Sequence, residues 1–209
     1  MLIPLIKLIE KYNIVFKGIL HVGAHECEEL NEYEHFLPRN KILWVEALPE
    51  KVNLSRSKFP GIIIENAIVS DVIETVNFKI SNNGQSSSIL DFGLHSLYHP
   101  HVHYVSSFNG KSSLLKDILP KYNIEYNFLN FDIQGAELKA LKGMENYLNN
   151  VDYFYTEVNS DYVYKGCALV NELDEYLSNF GLVRVETKWT EYKWGDAFYI
   201  KSNLIKQCQ

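Results

Sequence analysis

The chain has 209 residues, 46% of them hydrophobic and 22% charged, proportions that exclude a disordered or low-complexity chain. That length suits one large α/β domain, and residues 1–209 read as a single domain with no internal repeat or linker. A formal charge of −6 with scattered Lys and Arg argues against a nucleic-acid groove, because neutralising phosphates needs clustered cations.

The opening "MLIPLIKLIEKYNIVF" places apolar residues at helical spacing and predicts an amphipathic helix within residues 1–18. Lys7, Glu10 and Lys11 interrupt it before it could span a bilayer, so no membrane insertion and a cytoplasmic location are expected. Ile19–Val22 reads as a short buried strand, Gly23 as a sharp turn and Glu26–Phe36 as a helix. Ile42–Val45 forms a second strand ending on Glu46, with a helix starting near Pro49. "GIIIENAIVSD" supplies a third strand and "TVNFKIS" an extra one; residues 82–110, rich in Ser, Asn, Gly and His, read mainly as loop.

A helix near Ser112–Leu119 precedes the apolar run "FLNF", which delivers Asp132 at its end and resumes as a helix headed by Glu137. The strand "VDYFYTEV", a helix over "ALVNELDEYLSNF" and an antiparallel hairpin turning near Tyr192–Gly195 complete the pattern. Alternating strands and helices imply a mostly parallel sheet covered by helices on both faces. Cys27, Cys167 and Cys208 are odd in number and far apart, which is neither a disulfide framework nor a structural zinc motif.

In such a sheet the ligand lies beyond the carboxyl ends of the strands. Those ends carry His21–Glu26, Glu46, Asn66–Ala67, Asp132–Glu137 and Glu157–Asn159. Glu46 follows Gly23 at an interval of roughly two dozen residues, which sets an acid at the tip of the second strand to accept ribose hydroxyls. A pyrophosphate is a poor occupant, because "VGAHECEE" lacks a glycine-rich phosphate loop and Glu26, Glu28 and Glu29 compete with a bound anion. S-adenosylmethionine, with a ribose, an amino group and a sulfonium but no phosphate, suits this acidic rim.

"LHVGAHECEE", "WVEALPEKVN", "ENAIVSD", "NNGQSSSIL", "LNFDIQGAELKALKGM" and "WGDAFYIK" together resemble, in order and over nearly the whole chain, the FkbM-type S-adenosylmethionine-dependent methyltransferases. The resemblance implies a Rossmann-like class I methyltransferase fold with a seven-stranded sheet, and O-methylation of a hydroxyl on a sugar, a glycan or another small molecule. The family often has an acid where this chain has His21, and Lys-Ile-Asp-Val-Glu-Gly where it has Asn130–Gly135. The residues expected at the cofactor are His21, Gly23, Ala24, His25, Glu26, Glu46, Ala47, Asn66, Ala67, Ser88, Asp132 and Gln134.

Asp132, Glu137, Glu157 and His103 are the candidates for a general base that takes the acceptor's proton. Structural alternatives accompany them: Asp132 can cap the following helix, and Glu137 is favoured in a first helical turn whatever its role. Glu157 ends an apolar strand and must be paired or in the crevice. Tyr162, Tyr164, Trp189 and Trp194 could stack on a pyranose ring or simply pack. No metal is expected, since the spacings of His21, His25, His99, His101 and His103 match no zinc signature; Asp132, Glu157 and Asp196 would be the better ligands for magnesium. A sugar or glycan is the expected acceptor; a non-sugar small molecule would call for a closed apolar pocket, and a catalytically silent nucleoside-binding module is the reading from another class.

Overall fold

The computed structural model describes residues 1–205, so Cys208 lies outside the described residues. In chain order the elements are α1 (Leu5–Tyr12), β1 (Ile19–Val22), α2 (Leu30–Tyr33), β2 (Ile42–Glu46), α3 (Pro49–Lys58), β3 (Ile63–Asn66), β4 (Ile68–Val69), β5 (Thr75–Ser81), α4 (His95–Tyr98) and β6 (Tyr104–Ser113). They continue with α5 (Leu115–Ile118), β7 (Phe128–Phe131), α6 (Glu137–Lys142), β8 (Tyr153–Asn159), α7 (Val170–Ser178), β9 (Leu182–Trp189), β10 (Trp194–Lys201) and α8 (Ser202–Ile205).

Seven strands form one sheet in the order β3-β2-β1-β7-β8-β10-β9. All neighbours are parallel except β10, which runs antiparallel to both β8 and β9. Every residue of β1, β2, β7 and β8 is buried, which explains why these strands read as continuous apolar runs. One face carries Ile19, Trp44, Phe128 and Phe198 under Leu5 and Leu8 of α1 and Tyr33 of α2. The other carries Leu20, Val45, Phe131 and Phe154 under α5, α6 and α7. This is the Rossmann-like class I architecture.

A second, three-stranded sheet, β4-β6-β5, stands over the carboxyl end of the first. Here the structure corrects the sequence reading. Residues 104–110 belong to a strand of ten residues; its side chains are mostly Ser, Asn and Lys because much of β6 is exposed, and that polarity hid the strand. Ser112 and Ser113 also belong to β6, so the next helix starts only at Leu115. The third apolar run divides at Ala67 between two sheets. The helix expected over Glu26–Phe36 shrinks to Leu30–Tyr33, because His25 and Cys27 take left-handed conformations (φ 43° and 58°) and spend residues 23–29 on turns. The final hairpin turns before Trp194, at Lys193 with φ 66°.

Gly23 joins the strands that matter most. It has φ +88°, and a Cβ there would lie 1.8 Å from the Asp132 carbonyl oxygen. The Asp132 N–H donates to Val22 O at 2.9 Å, while the N–H groups of Gly23 and Ala24 donate to Val45 O at 2.9 and 3.1 Å. Gly23→Ala would force apart backbone that has nowhere to move, and we expect a loss of about 3 kcal/mol or more in urea unfolding. A wild-type midpoint would refute that close approach.

Candidate active site

Two cavities open at the carboxyl ends of β1, β2 and β7. The narrower, about 70 Å³, has largely apolar walls from Val45, Ala47, Leu48, Ile68, Phe78 and Ile89, and Glu46 at its edge. The wider, about 500 Å³, is lined by polar groups that include Asn83, Gln85, Ser86, Asn130, Glu157 and Asp196. Gly23, His25, Gln85, Asp132 and Gln134 line both, so the cavities meet where the missing Gly23 side chain lets β1 and β7 converge.

Glu46 is held by backbone. Its Oε2 accepts the His25 N–H at 2.7 Å and its Oε1 accepts the Leu48 N–H at 2.8 Å. Burial pushes its pKa up against those hydrogen bonds. Each oxygen keeps a lone pair for another donor. Asn66 locks the same corner, its Nδ2 donating to the carbonyls of Glu46 and Ala47 at 2.8 and 3.0 Å.

The turn after β7 is built by its own side chains. Glu137 is buried and turns back, its Oε1 accepting the N–H groups of Ile133 and Gly135 at 3.0 and 3.1 Å. Gln134 takes φ 57°, and its carbonyl accepts the Ser88 hydroxyl at 2.9 Å. Its Nε2 donates to Asp132 Oδ1 at 2.6 Å and to Glu157 Oε2 at 3.1 Å, while its Oε1 accepts the Tyr164 hydroxyl at 2.5 Å. Gly135, at φ +95°, leaves room for this packing: a Cβ would meet the Cβ atoms of Cys167 and Tyr164 at 2.9 and 3.0 Å.

Asp132 opens into the wide cavity and is exposed there. Desolvation by the surrounding walls first, and then the negative charge of Asp196, push its carboxyl up to about 6. Glu137 is raised to about 7, mainly by burial, and Glu157 well above the carboxylate range by burial and by repulsion from Asp132, Glu137 and Asp196. Asp196 accepts the Leu2 N–H at 2.5 Å and the Tyr155 hydroxyl. On the inner wall His21 stacks on Trp44 with ring centroids 4.6 Å apart, and burial lowers it to about 3, so it is neutral at physiological pH.

Residues 21–183 match the model of the methyltransferase FkbM domain. The chain belongs to the FkbM methyltransferase family. Its activity is S-adenosylmethionine-dependent methyl transfer, and S-adenosylmethionine is its cofactor. The fold is similar to that of ribosomal protein L11 methylase from Lactobacillus delbrueckii subsp. bulgaricus (TM-score 0.53, 10% identity, 94% of this chain and 75% of that chain). It is also similar to magnesium protoporphyrin IX methyltransferase from Synechocystis PCC 6803, solved with bound SAM (TM-score 0.52, 8% identity, 94% and 76%). A third is an S-adenosylmethionine-dependent methyltransferase from Clostridium acetobutylicum (TM-score 0.51, 10% identity, 94% and 88%). At these identities the likeness is one of fold. No curated protein matches the chain.

Of the residues singled out in this methyltransferase's sequence, Gly23, His25, Glu46, Ala47, Ala67, Asp132 and Gln134 line the narrow cavity, and His21 and Glu157 the wide one. Others stand apart. Glu26 pairs with Lys51 at 2.6 Å, because the left-handed turn at His25 swings it toward α3. Asn66, Ser88 and Glu137 brace backbone, and Ala24 is buried; none of these lines either cavity. His103 is exposed and also lines neither. Of the aromatic residues, Tyr164 and Trp194 line the wide cavity, whereas Tyr162 and Trp189 are exposed and do not.

Asn83, Gln85, Ser86, His95 and Tyr155 reach the wide cavity without having been singled out. Four of them come from the segment between β5 and β6, which has no periodicity to mark which side chains turn inward. Among the described residues no group of three or more His, Cys, Asp or Glu is arranged to hold a metal ion, and no helix is long and apolar enough to cross a membrane.

The raised carboxyls carry a stability cost with a definite sign. A carboxyl whose folded pKa lies above its unfolded value keeps its proton in the native state while the unfolded chain loses it. Stability therefore falls as pH rises from the unfolded value, 4.5 for Glu157, toward the raised folded one. We expect Glu157→Gln to raise the ligand-free Tm by roughly 2–4 °C at pH 8, with the gain vanishing near pH 4. A gain equal at both pH values would contradict the charge origin.

Proposed function

We propose that this methyltransferase transfers its methyl group to a hydroxyl of a sugar or glycan. The observation that carries this reading is the wide cavity beside the apolar slot: about 500 Å³, lined by amide, hydroxyl and carboxylate side chains. A flat apolar acceptor would leave those polar groups unpaired at a cost, whereas a polyol can satisfy them. Trp194 and Tyr164 add aromatic surface to the same walls. No Lys or Arg is among the described residues that line this cavity, which speaks against a nucleic-acid acceptor or one carried on phosphate.

The cofactor fits the neighbouring slot by its chemistry. Ala47, Leu48, Ile68 and Phe78 offer an apolar bed for an adenine, and Glu46 has acceptor capacity left for ribose hydroxyls. S-adenosylmethionine supplies an electrophilic methyl on a sulfonium. The chain's part is to hold the acceptor oxygen in line with that methyl and to receive its proton. Asp132 is suited to receive the proton, because it sits where the cavities meet, Gln134 fixes its orientation, and its carboxyl at about 6 is ionised at neutral pH yet basic enough to be protonated. Glu137 is committed to the turn and acts through Asp132's placement.

Incubating the protein with radiolabelled S-adenosylmethionine and a panel of methyl pyranosides, flat phenols and short RNA tests the reading; label on a pyranoside oxygen supports it, and label only on a phenol or RNA overturns it. Asp132→Asn keeps size and much of the capping while removing basicity, so single-turnover transfer should slow by ~10²-fold or more with the fold intact, shown by a melting temperature no lower than wild type. Glu46→Ala should weaken S-adenosylmethionine binding by about 1.5–3 kcal/mol in calorimetry; an unchanged dissociation constant in folded protein would take Glu46 out of the cofactor site.

A further inference from the structure

The turn after β7 has an electrostatic peculiarity. The single Gln134 amide donates to Asp132 and Glu157 at once, drawing two carboxyl groups together at the junction of the cavities. Among the described residues no Lys or Arg forms an ion pair with Asp132, Glu137, Glu157 or Asp196. Glu157 is buried, Asp132 opens to the cavity, and the positive charge that faces Asp132 is the Met1 ammonium on the cavity wall, so the cluster of carboxyls keeps an excess of negative charge that an arriving cation balances.

The cofactor and its product differ by one methyl and one charge. S-adenosylmethionine is a sulfonium; S-adenosylhomocysteine is a neutral sulfide with the same adenosine and amino-acid parts. A cofactor with its nucleoside in the narrow cavity and its methyl toward an acceptor in the wide one would bring its sulfur to the place Asp132 and Gln134 share, where the two cavities meet.

We propose that Asp132 and Glu157, tied by Gln134, form a charge-reading pair that selects the sulfonium cofactor over its sulfide product. During transfer the S–CH₃ bond breaks with its electron pair staying on sulfur, the O–CH₃ bond forms, and the acceptor's O–H proton leaves. Cation plus neutral alcohol become neutral sulfide, ether and one proton. The pair that held the cation can accept that proton, and the attraction that retained the cofactor disappears as the product forms. The device favours release of a product that would otherwise compete for the slot.

The sign of the pH dependence follows. The pair attracts a cation only when ionised, so sulfonium affinity falls as pH drops through about 6 at Asp132, while sulfide affinity changes little. Other groups face the pair: Glu137 from α6, Asp196 from β10, Tyr155 from β8, Glu29 from the turn before α2 and the ammonium of Met1, with Glu28 on the same cavity wall. Below it is His21 on β1; across the cavity are Tyr164 and His95, with His25, His99 and His101 also on its walls. Burial lowers His21 to about 3 and His95 to about 4 and pushes Tyr155 and Tyr164 far up, so these four do not titrate between pH 5 and 8. A neutralised Asp132 separates the pair's effect from that of every other group on the cavity wall.

The test is calorimetric titration of the full chain with S-adenosylmethionine, S-adenosylhomocysteine and sinefungin, which carries an ammonium in place of the methyl sulfonium. Measurements run from pH 5 to pH 8 in two buffers of different ionisation enthalpy, so that proton release is read directly. Both cations should tighten by about tenfold or more over that range and release protons on binding, and the sulfide should change by less than about twofold. Asp132→Asn should remove most of the tightening for the cations and leave the sulfide unaltered. Parallel profiles for the three ligands, a flat sulfonium profile, or an Asp132→Asn variant that keeps the wild-type slope would each overturn the proposal. If that variant does not fold, the wild-type profiles decide between the outcomes alone. The readout needs no acceptor, so it stands or falls separately from the sugar assignment.

Discussion

The contact between Gly23 and the peptide of Asp132 is the constraint on which the rest of the site depends. A parallel sheet diverges at its carboxyl ends because the chain must leave each strand to enter a helix. Here β1 and β7 stay in register to Val22 and Phe131, and one further hydrogen bond, Asp132 N–H to Val22 O at 2.9 Å, holds them together past the strand ends. Only a residue without a side chain permits it. The same glycine lines both the narrow apolar slot and the wide polar cavity.

Around that passage the structure spends most of its polar groups on holding backbone rather than on reaching a ligand. Glu46 binds two N–H groups, Glu137 two more, Asn66 two carbonyls and Ser88 the Gln134 carbonyl. Each satisfies a loop that would otherwise carry unpaired buried groups. The consequence is rigidity where a reacting methyl group has to be aimed. Asp132 and Glu157 differ: the side-chain partner each has is one shared amide, that of Gln134.

The insertion after β5 shapes the wide cavity. Gly93, Leu94 and His95 hang from the carbonyls of Tyr162 and Val163 at 2.9–3.0 Å, which ties the small sheet's connecting segment to the loop after β8. His95 stacks on Phe92 with ring centroids 4.2 Å apart, and Phe92 on Tyr104 at 4.0 Å. This aromatic stack supports one wall while β7, β8 and β10 supply the other. The wide cavity is thus walled by the strand ends of the seven-stranded sheet on one side and by a segment outside that sheet on the other.

The sequence by itself determined the sheet strands, the glycine turn and the acids at the strand ends. Ile19–Val22, Ile42–Glu46 and Phe128–Phe131 are apolar because both sheet faces are covered, and that burial is written in composition. It did not reveal β6, whose outward polar residues carry no burial signal, nor the fates of Glu26, His103 and Ser88, which depend on turns and distant partners. Tertiary structure alone decided that Glu26 meets Lys51, that Glu137 folds back on its own turn, and that Gln134, between two acids remote in the chain, draws them together. Burial is a property of a residue type and survives in one dimension; a hydrogen bond between positions 134 and 157 exists only once the strands that carry them are side by side.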